Sequence, residues 1–314
     1  SFFHSRSFML TSPLLHSWTK RLSVLLGSLL IALPVLTHAA PEVPETPARG
    51  VLWEVQSGTN TAYLFGSIHL AKASFYPLPA RVEAAYRQAD TLAVELDASD
   101  PDVSAKAMPY FTYRAPDKLE NHLNKTTWQS LQALVGPASV QFQTLKPAVA
   151  ATALSMGVFA QQGYDPAQGI DLHFIRQAKA DKKAIRELES MEFQAQVLGG
   201  LSDEDGDALL QQTLDGLKSG EAVQETEAMI AAWKRGDADT LIHILQETAS
   251  KDAGSKKLMK LLLDDRNPRM AQQIADLLHE GKKVFVVVGA GHIAGTNSIT
   301  DILQKQGLQI RQIK

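Results

Sequence analysis

The sequence predicts an α/β (α+β) fold: a central mixed sheet from two β-Gly-x-x-His-α-β half-units at the chain ends, with a largely helical insertion between them. Two observations predict the half-units. The apolar runs "YLFGSIH" (63–69) and "VVVGAGH" (286–292) each stop at Gly-x-x-His, and each leads into a short helical pattern and another strand. A third observation predicts the insertion. Between residues 102 and 280, apolar side chains recur at three- and four-residue spacing.

The elements follow in order. "GVLWEVQ" (50–56), the turn "SGTN" (57–60) and "TAYLFGSIH" (61–69) form a hairpin that feeds a buried strand. "LPARVEAAYRQA" (78–89) places Val82, Ala85, Tyr86 and Ala89 at helical spacing, with Pro79 suited to a first turn. "DTLAVELD" (90–97) returns as a strand. In the insertion, "WQSLQALV" (128–135), "AMIAAWKRG" (228–236) and "RMAQQIADLLHEG" (269–281) read as amphipathic helices that cap or flank the sheet. "KKVFVVVGAGH" (282–292) is the continuous β-branched run of a buried parallel strand. "NSITDILQKQ" (297–306) is a helix capped by Asn297 and stopped at Gly307, and "LQIRQI" (308–313) closes as a strand.

The N-terminus reads as an export signal. Lys20 and Arg21 precede an apolar stretch from Leu22 to Leu36, and Thr37-His38-Ala39 offers a small-residue cleavage site. That stretch is shorter than the roughly 18–20 residues that span a bilayer. Residues 1–39 are therefore expected to be a cleavable signal peptide, 40–50 a Pro-rich linker and 51–314 the domain. The expected location is periplasmic or secreted, with no stable membrane span after cleavage.

The chain has 314 residues and a net charge of −3. With Arg6, Lys20 and Arg21 set aside, 28 basic side chains face 34 acidic ones, which argues against nucleic acid as a partner. Cysteine is absent, so thiolate metal sites and disulfides are excluded.

His69 and His292 each sit just past a strand, where open sheets present residues to a ligand crevice. Taken together in matching contexts they are expected to converge, and paired neutral imidazoles suit a divalent metal such as Mn, Co or Zn. Glu95 in "LAVELD" supplies a carboxylate at the end of a buried strand, where it is costly unless paired or coordinating. Asp97 reads as a cap or turn residue, and Arg311 stands at the equivalent place in the second half-unit. Arg266 in "LDDRNPRM" (263–270) can orient a carboxylate or steady an oxyanion, although Asp264 and Asp265 beside it suit a solvated pair. Asp171 in "QGIDLHF" (168–174) looks like a helix cap, and His173 lacks the Gly-x-x-His context. "GAGHIAG" (289–295) is spaced G-x-G-x-x-x-G, not as a dinucleotide fingerprint, and no H-E-x-x-H or G-x-S-x-G is present.

The pieces "YLFGSIH", "LAVELD", "LKP" (145–147), "GID" (169–171), "LES" (188–190), "DDRN" (264–267) and "VVVGAGHIAG" together resemble the TraB/GumN family. The resemblance covers about residues 51–314, with Ser67 where many relatives have threonine. It implies a metal-dependent hydrolase on a fold similar to that of erythromycin esterases and ChaN-like proteins. His69 and His292 would then be the motif histidines, Glu95 the motif glutamate and Arg266 the motif arginine. The expected activity is peptide-bond hydrolysis by a water activated on an ion held by His69 and His292, with Glu95 as ligand or general base, Arg266 steadying the oxyanion, and a peptide or protein of the cell envelope as substrate. The competing readings are a periplasmic protein that sequesters a peptide or haem-like ligand without turnover, and an esterase or lactone hydrolase.

Overall fold

A computed structural model describes residues 48–314. The expected signal peptide and most of the Pro-rich linker lie outside the described residues. The last linker residues already belong to the body: Ala48 is buried, and the Arg49 N–H donates to the Lys234 carbonyl at 2.7 Å.

In chain order the elements are β1 (Val51–Ser57), β2 (Asn60–Ser67), α1 (Ala80–Gln88), β3 (Thr91–Val94), α2 (Pro101–Phe111), α3 (Lys125–Val135) and α4 (Pro147–Gln161). There follow α5 (Ile170–Ala180), β4 (Ala184–Glu187), α6 (Met191–Gly199), α7 (Asp203–Ser219), α8 (Glu221–Arg235), α9 (Ala238–Ser250) and α10 (Ala253–Met259). A π-helical turn (Lys260–Asp264) then leads into α11 (Asn267–His279), β5 (Val284–Gly289), α12 (Ile299–Lys305) and β6 (Gln309–Ile313).

The six strands form one mixed sheet in the order β4-β3-β5-β2-β1-β6. β2, β5, β3 and β4 are mutually parallel, while β1 runs antiparallel to both β2 and β6. The two half-units interleave. β3 leaves its own partner β2 and pairs with β5, so both Gly-x-x-His strands lie side by side at the centre of the sheet.

Two departures from the sequence reading have local causes. The insertion is not wholly helical: "AIRE" forms the edge strand β4, whose largely exposed, charged side chains hide it from a hydrophobicity pattern. The helix after His292 is capped by Ser298, whose hydroxyl accepts the Asp301 N–H; Asn297 precedes it in the left-handed region at φ 60°.

Alternation along the strands sends side chains to two layers. Leu52, Phe65, Leu92 and Phe285 pack with Val82 and Tyr86 of α1 and Phe174 and Ile175 of α5. Val55, Leu64, Val286 and Val288 face Met270, Ile274 and Leu278 of α11 and Leu303 of α12. Burying each such large side chain contributes about 1.5–3 kcal/mol, so the VFVVV run holds β5 between both layers. A separate core, including Phe111, Leu131, Leu154, Met191 and Leu210, belongs to the helical insertion and joins the sheet through Leu96, just past β3. No helix among the described residues is long and apolar enough to cross a membrane.

Candidate active site

Each of the four parallel strands delivers one polar side chain just beyond its carboxyl end: His69 after β2, His292 after β5, Glu95 after β3 and Glu189 after β4. The backbone continues the ladder there, since the Glu189 N–H donates to the Glu95 carbonyl at 3.0 Å. A crevice at this end of a parallel sheet is where the fold concentrates ligand sites.

The glycines of the two signatures explain their repetition. Gly66 lies opposite Val288 in the β2–β5 ladder, and a Cβ on it would stand 3.0 Å from the Ala290 Cα and 2.8 Å from the Ile293 side chain. A Cβ on Gly289 would stand 3.3 Å from Glu95 Oε1, 3.4 Å from His292 Cδ2 and 3.6 Å from His69 Nε2. One glycine lets the two motifs interlock. The other keeps open the recess on which both imidazoles and the carboxylate border.

Behind the recess lies a buried charge network. Arg266, only 2% exposed, precedes α11 after the π-helical turn. Its Nε donates to Glu189 Oε1 at 2.9 Å, and its Nη2 donates to Glu189 Oε2 at 2.5 Å and to Glu95 Oε2 at 2.7 Å. Nη1 donates to the Leu262 carbonyl at 3.0 Å. Asp264 and Asp265 therefore do not hold Arg266 at the surface; Asp265 pairs with Lys260 instead. Glu95 Oε1 accepts the Gly289 N–H at 2.7 Å. Burial would raise the Glu95 pKa, but Arg266 foremost, then the two imidazoles and that N–H, bring it down to about 2. Glu95 is thus a firmly ionised carboxylate.

The imidazoles are anchored from behind. His69 Nδ1 donates to Asp171 Oδ2 at 2.8 Å, and Ser67 Oγ donates to Asp171 Oδ1 at 2.7 Å. His292 Nδ1 is 2.6 Å from Asn267 Oδ1, and its Nε2 is 3.9 Å from Glu95 Oε1. Burial pushes the His292 pKa down to about 4, so the ring is neutral at pH 7 and its approach to Glu95 is not an ion pair. Burial also acts against a charge on His69, yet Asp171 outweighs it and raises the pKa to about 9.

The structure thus brings His69, His292, Glu95 and Arg266 to one place. Asp171, read from sequence as a cap, lies in the first turn of α5 but turns its carboxylate to Ser67 and His69; the cap position is Gly169. Asp171, Glu189 and Asn267 are site residues that spacing alone did not reveal. Each lies in a short matched piece, "GID", "LES" or "DDRN", too brief to carry weight before the fold assembles them. His173 points elsewhere, its ring tilted against Tyr76 at 4.6 Å and its Nε2 3.8 Å from Glu83, and Arg311 pairs with Glu54 on β1. Asp97 accepts the Ser99 N–H as a turn residue does and pairs with Lys179.

The donor chemistry suits a divalent cation. Two buried carboxylates, Glu95 and Glu189, share one guanidinium, and Asp171 pairs with His69, so the site carries an excess of negative charge that grows when His69 is neutral. As the side chains stand, no three His, Asp or Glu among the described residues form a metal cage. His69, with a side chain 19% exposed, is the least buried member of the group.

The model of the TraB/PrgY/gumN family matches residues 51–312. The chain belongs to that family. Within it, the uncharacterized protein YbaP of Escherichia coli is 28% identical over 250 residues, covering 79% of this chain and 89% of the relative. Metalloprotease TIKI1 of Xenopus tropicalis is 21% identical over 311 residues, covering 82% of this chain and 60% of the relative. Metalloprotease TIKI2 of Danio rerio is 23% identical over 301 residues, covering 79% and 58%. The chain therefore spans about 60% of the length of these Tiki relatives. No solved structure matches.

Proposed function

We propose that this TraB/PrgY/gumN chain is an exported, metal-dependent hydrolase that cleaves peptide bonds in the cell envelope. The observation that carries the reading is the recess at Gly289, where two imidazoles anchored through Nδ1 and one ionised carboxylate border the same space. The relatives named metalloproteases support the reaction class. The basic, apolar N-terminal stretch supports export.

His69, His292 and Glu95 would hold the ion, and nitrogen and oxygen donors without sulfur suit Mn, Co or Zn. A divalent cation supplies Lewis acidity and a water acidified from 15.7 toward about 7. To hold the ion, His69 would have to give up its Nε2 proton, because a ligand imidazole must be neutral at the bound nitrogen. Glu95, held near 2, is a weak proton acceptor at neutral pH and a strong fixed charge, so its environment suits a ligand better than a general base. Arg266 gives its Nε and Nη2 donors to Glu95 and Glu189, so its bonds suit orienting a carboxylate rather than steadying an oxyanion. Burial of Glu95, Glu189 and His292 keeps bulk water from screening these charges.

The test is incubation of purified protein with peptide mixtures and added manganese, cobalt or zinc, with a chelator control. Metal-dependent cleavage is expected. Peptide bound but never cleaved would replace this reading with the sequestering one, and turnover of esters alone would replace it with the esterase.

A further inference from the structure

The two Gly-x-x-His units look like copies, yet the groups that hold their rings are chemically unlike. On His69 the acceptor is the Asp171 carboxylate. On His292 it is a carboxamide oxygen, Asn267 Oδ1, at 2.6 Å. That amide cannot turn over freely, because its Nδ2 donates to the Asn297 carbonyl at 2.9 Å. Its oxygen must therefore face the ring, and an oxygen acceptor requires the hydrogen to be on Nδ1. Asn267 and His292 are 1% and 3% exposed, so solvent does not compete for the bond.

We propose that Asn267 and Asp171 are the positioning residues of the two imidazoles, and that Asn267 dictates the His292 tautomer: proton on Nδ1, bare Nε2 toward Glu95. The significance for catalysis rests on the hydrolase reading above; the tautomer does not.

The two anchors then have different duties. A neutral imidazole has one lone pair, and the nitrogen that carries it decides whether the ring can bind a cation or only donate a hydrogen bond. Without Asn267, the proton is free to sit on Nε2, on the recess side, and the lone pair is lost there. Asp171 accepts from Nδ1–H whether or not Nε2 is also protonated, so it fixes the direction of the His69 ring in either charge state. Ser67, inside the first signature, holds the other Asp171 oxygen and so keeps that carboxylate aligned. Partners of this kind behind ligand histidines are commonly worth 10–100-fold in metal affinity.

The experiment is long-range proton–nitrogen correlation spectroscopy of histidine side chains in the full chain, for the parent, Asn267→Ala and Asn267→Asp, with a zinc titration alongside. In the parent, His292 is expected with protonated Nδ1 and bare Nε2. Asn267→Ala should move protons to Nε2 and weaken zinc binding roughly 10–100-fold. Asn267→Asp should restore the parent tautomer, because a carboxylate accepts the same bond. A parent His292 with its proton on Nε2, or an Asn267→Ala protein whose ring stays wholly in the Nδ1–H form, would overturn the proposal. The parent spectrum decides even where Asn267→Ala fails to fold. A parent with the expected tautomer that does not bind zinc, manganese or cobalt counts against the metal reading and leaves the tautomer assignment standing.

Discussion

A Cβ placed on Gly289 would stand 3.6 Å from Nε2 of His69, a residue 220 positions earlier in the chain. The gap is close to van der Waals contact, and Gly289 has an ordinary backbone at φ −49° and ψ 135°. The tighter approach of that Cβ, 3.3 Å to Glu95 Oε1, makes the neighbour give slightly, so Gly289→Ala should fold at a cost of about 1 kcal/mol, yet crowd the recess and cut hydrolysis by roughly 10–100-fold. Gly66→Ala should differ, because its Cβ meets the backbone of Ala290 and costs about 1–3 kcal/mol. Urea denaturation of both proteins, paired with a peptidase assay, checks the contrast.

Much of this geometry was legible in the sequence because hydrophobic patterning and Gly-x-x-His punctuation are local signals. β2, β3 and β5 announce themselves as apolar runs, and their adjacency puts His69, His292 and Glu95 together. Glu189 was not legible, because β4 carries an exposed Ala184-Ile185-Arg186-Glu187 pattern with no buried face of its own. Arg266 sits among acids that suggest solvation, and only the wide turn at 260–264 and the pairing of Lys260 with Asp265 release it inward. Asp171 occupies a first-turn position where an acid is expected anyway, so its second partner, 102 residues away, left no trace in spacing.

Removing the guanidinium should be among the most damaging single changes. Arg266→Met leaves Glu95 and Glu189 buried without a partner, at a cost of about 3–5 kcal/mol. Adding Glu95→Gln and Glu189→Gln to that variant should restore most of the stability but none of the metal binding. Denaturation midpoints of the single and triple variants decide it.

Stability should fall on both sides of neutrality. The folded pKa of His292 lies near 4, below its ordinary 6.5, so the unfolded chain takes up protons first and stability drops as pH falls through that window. Glu95, depressed from 4.5 to about 2, extends the loss further into acid. His69, raised from 6.5 to about 9, contributes stability that is complete below 6.5 and disappears as pH rises through 9. Asp171→Asn should flatten the alkaline limb and leave the acid limb in place, as melting temperatures across pH would show.

Trp233 ties α8 to the sheet at the first signature. Its Nε1 donates to the Gly66 carbonyl at 2.6 Å, and its ring stacks on Phe75 at 6.1 Å. Trp233→Phe keeps an aromatic ring but abolishes the buried hydrogen bond, so a loss of about 1–3 kcal/mol is expected in urea.

The decisive measurement is the metal content of the natively purified protein beside that of a folded His69→Ala/His292→Ala variant. Near-stoichiometric manganese, cobalt or zinc in the parent and little in the variant is the expected result. A parent without metal, or a variant that retains as much as the parent, would contradict the two-histidine site.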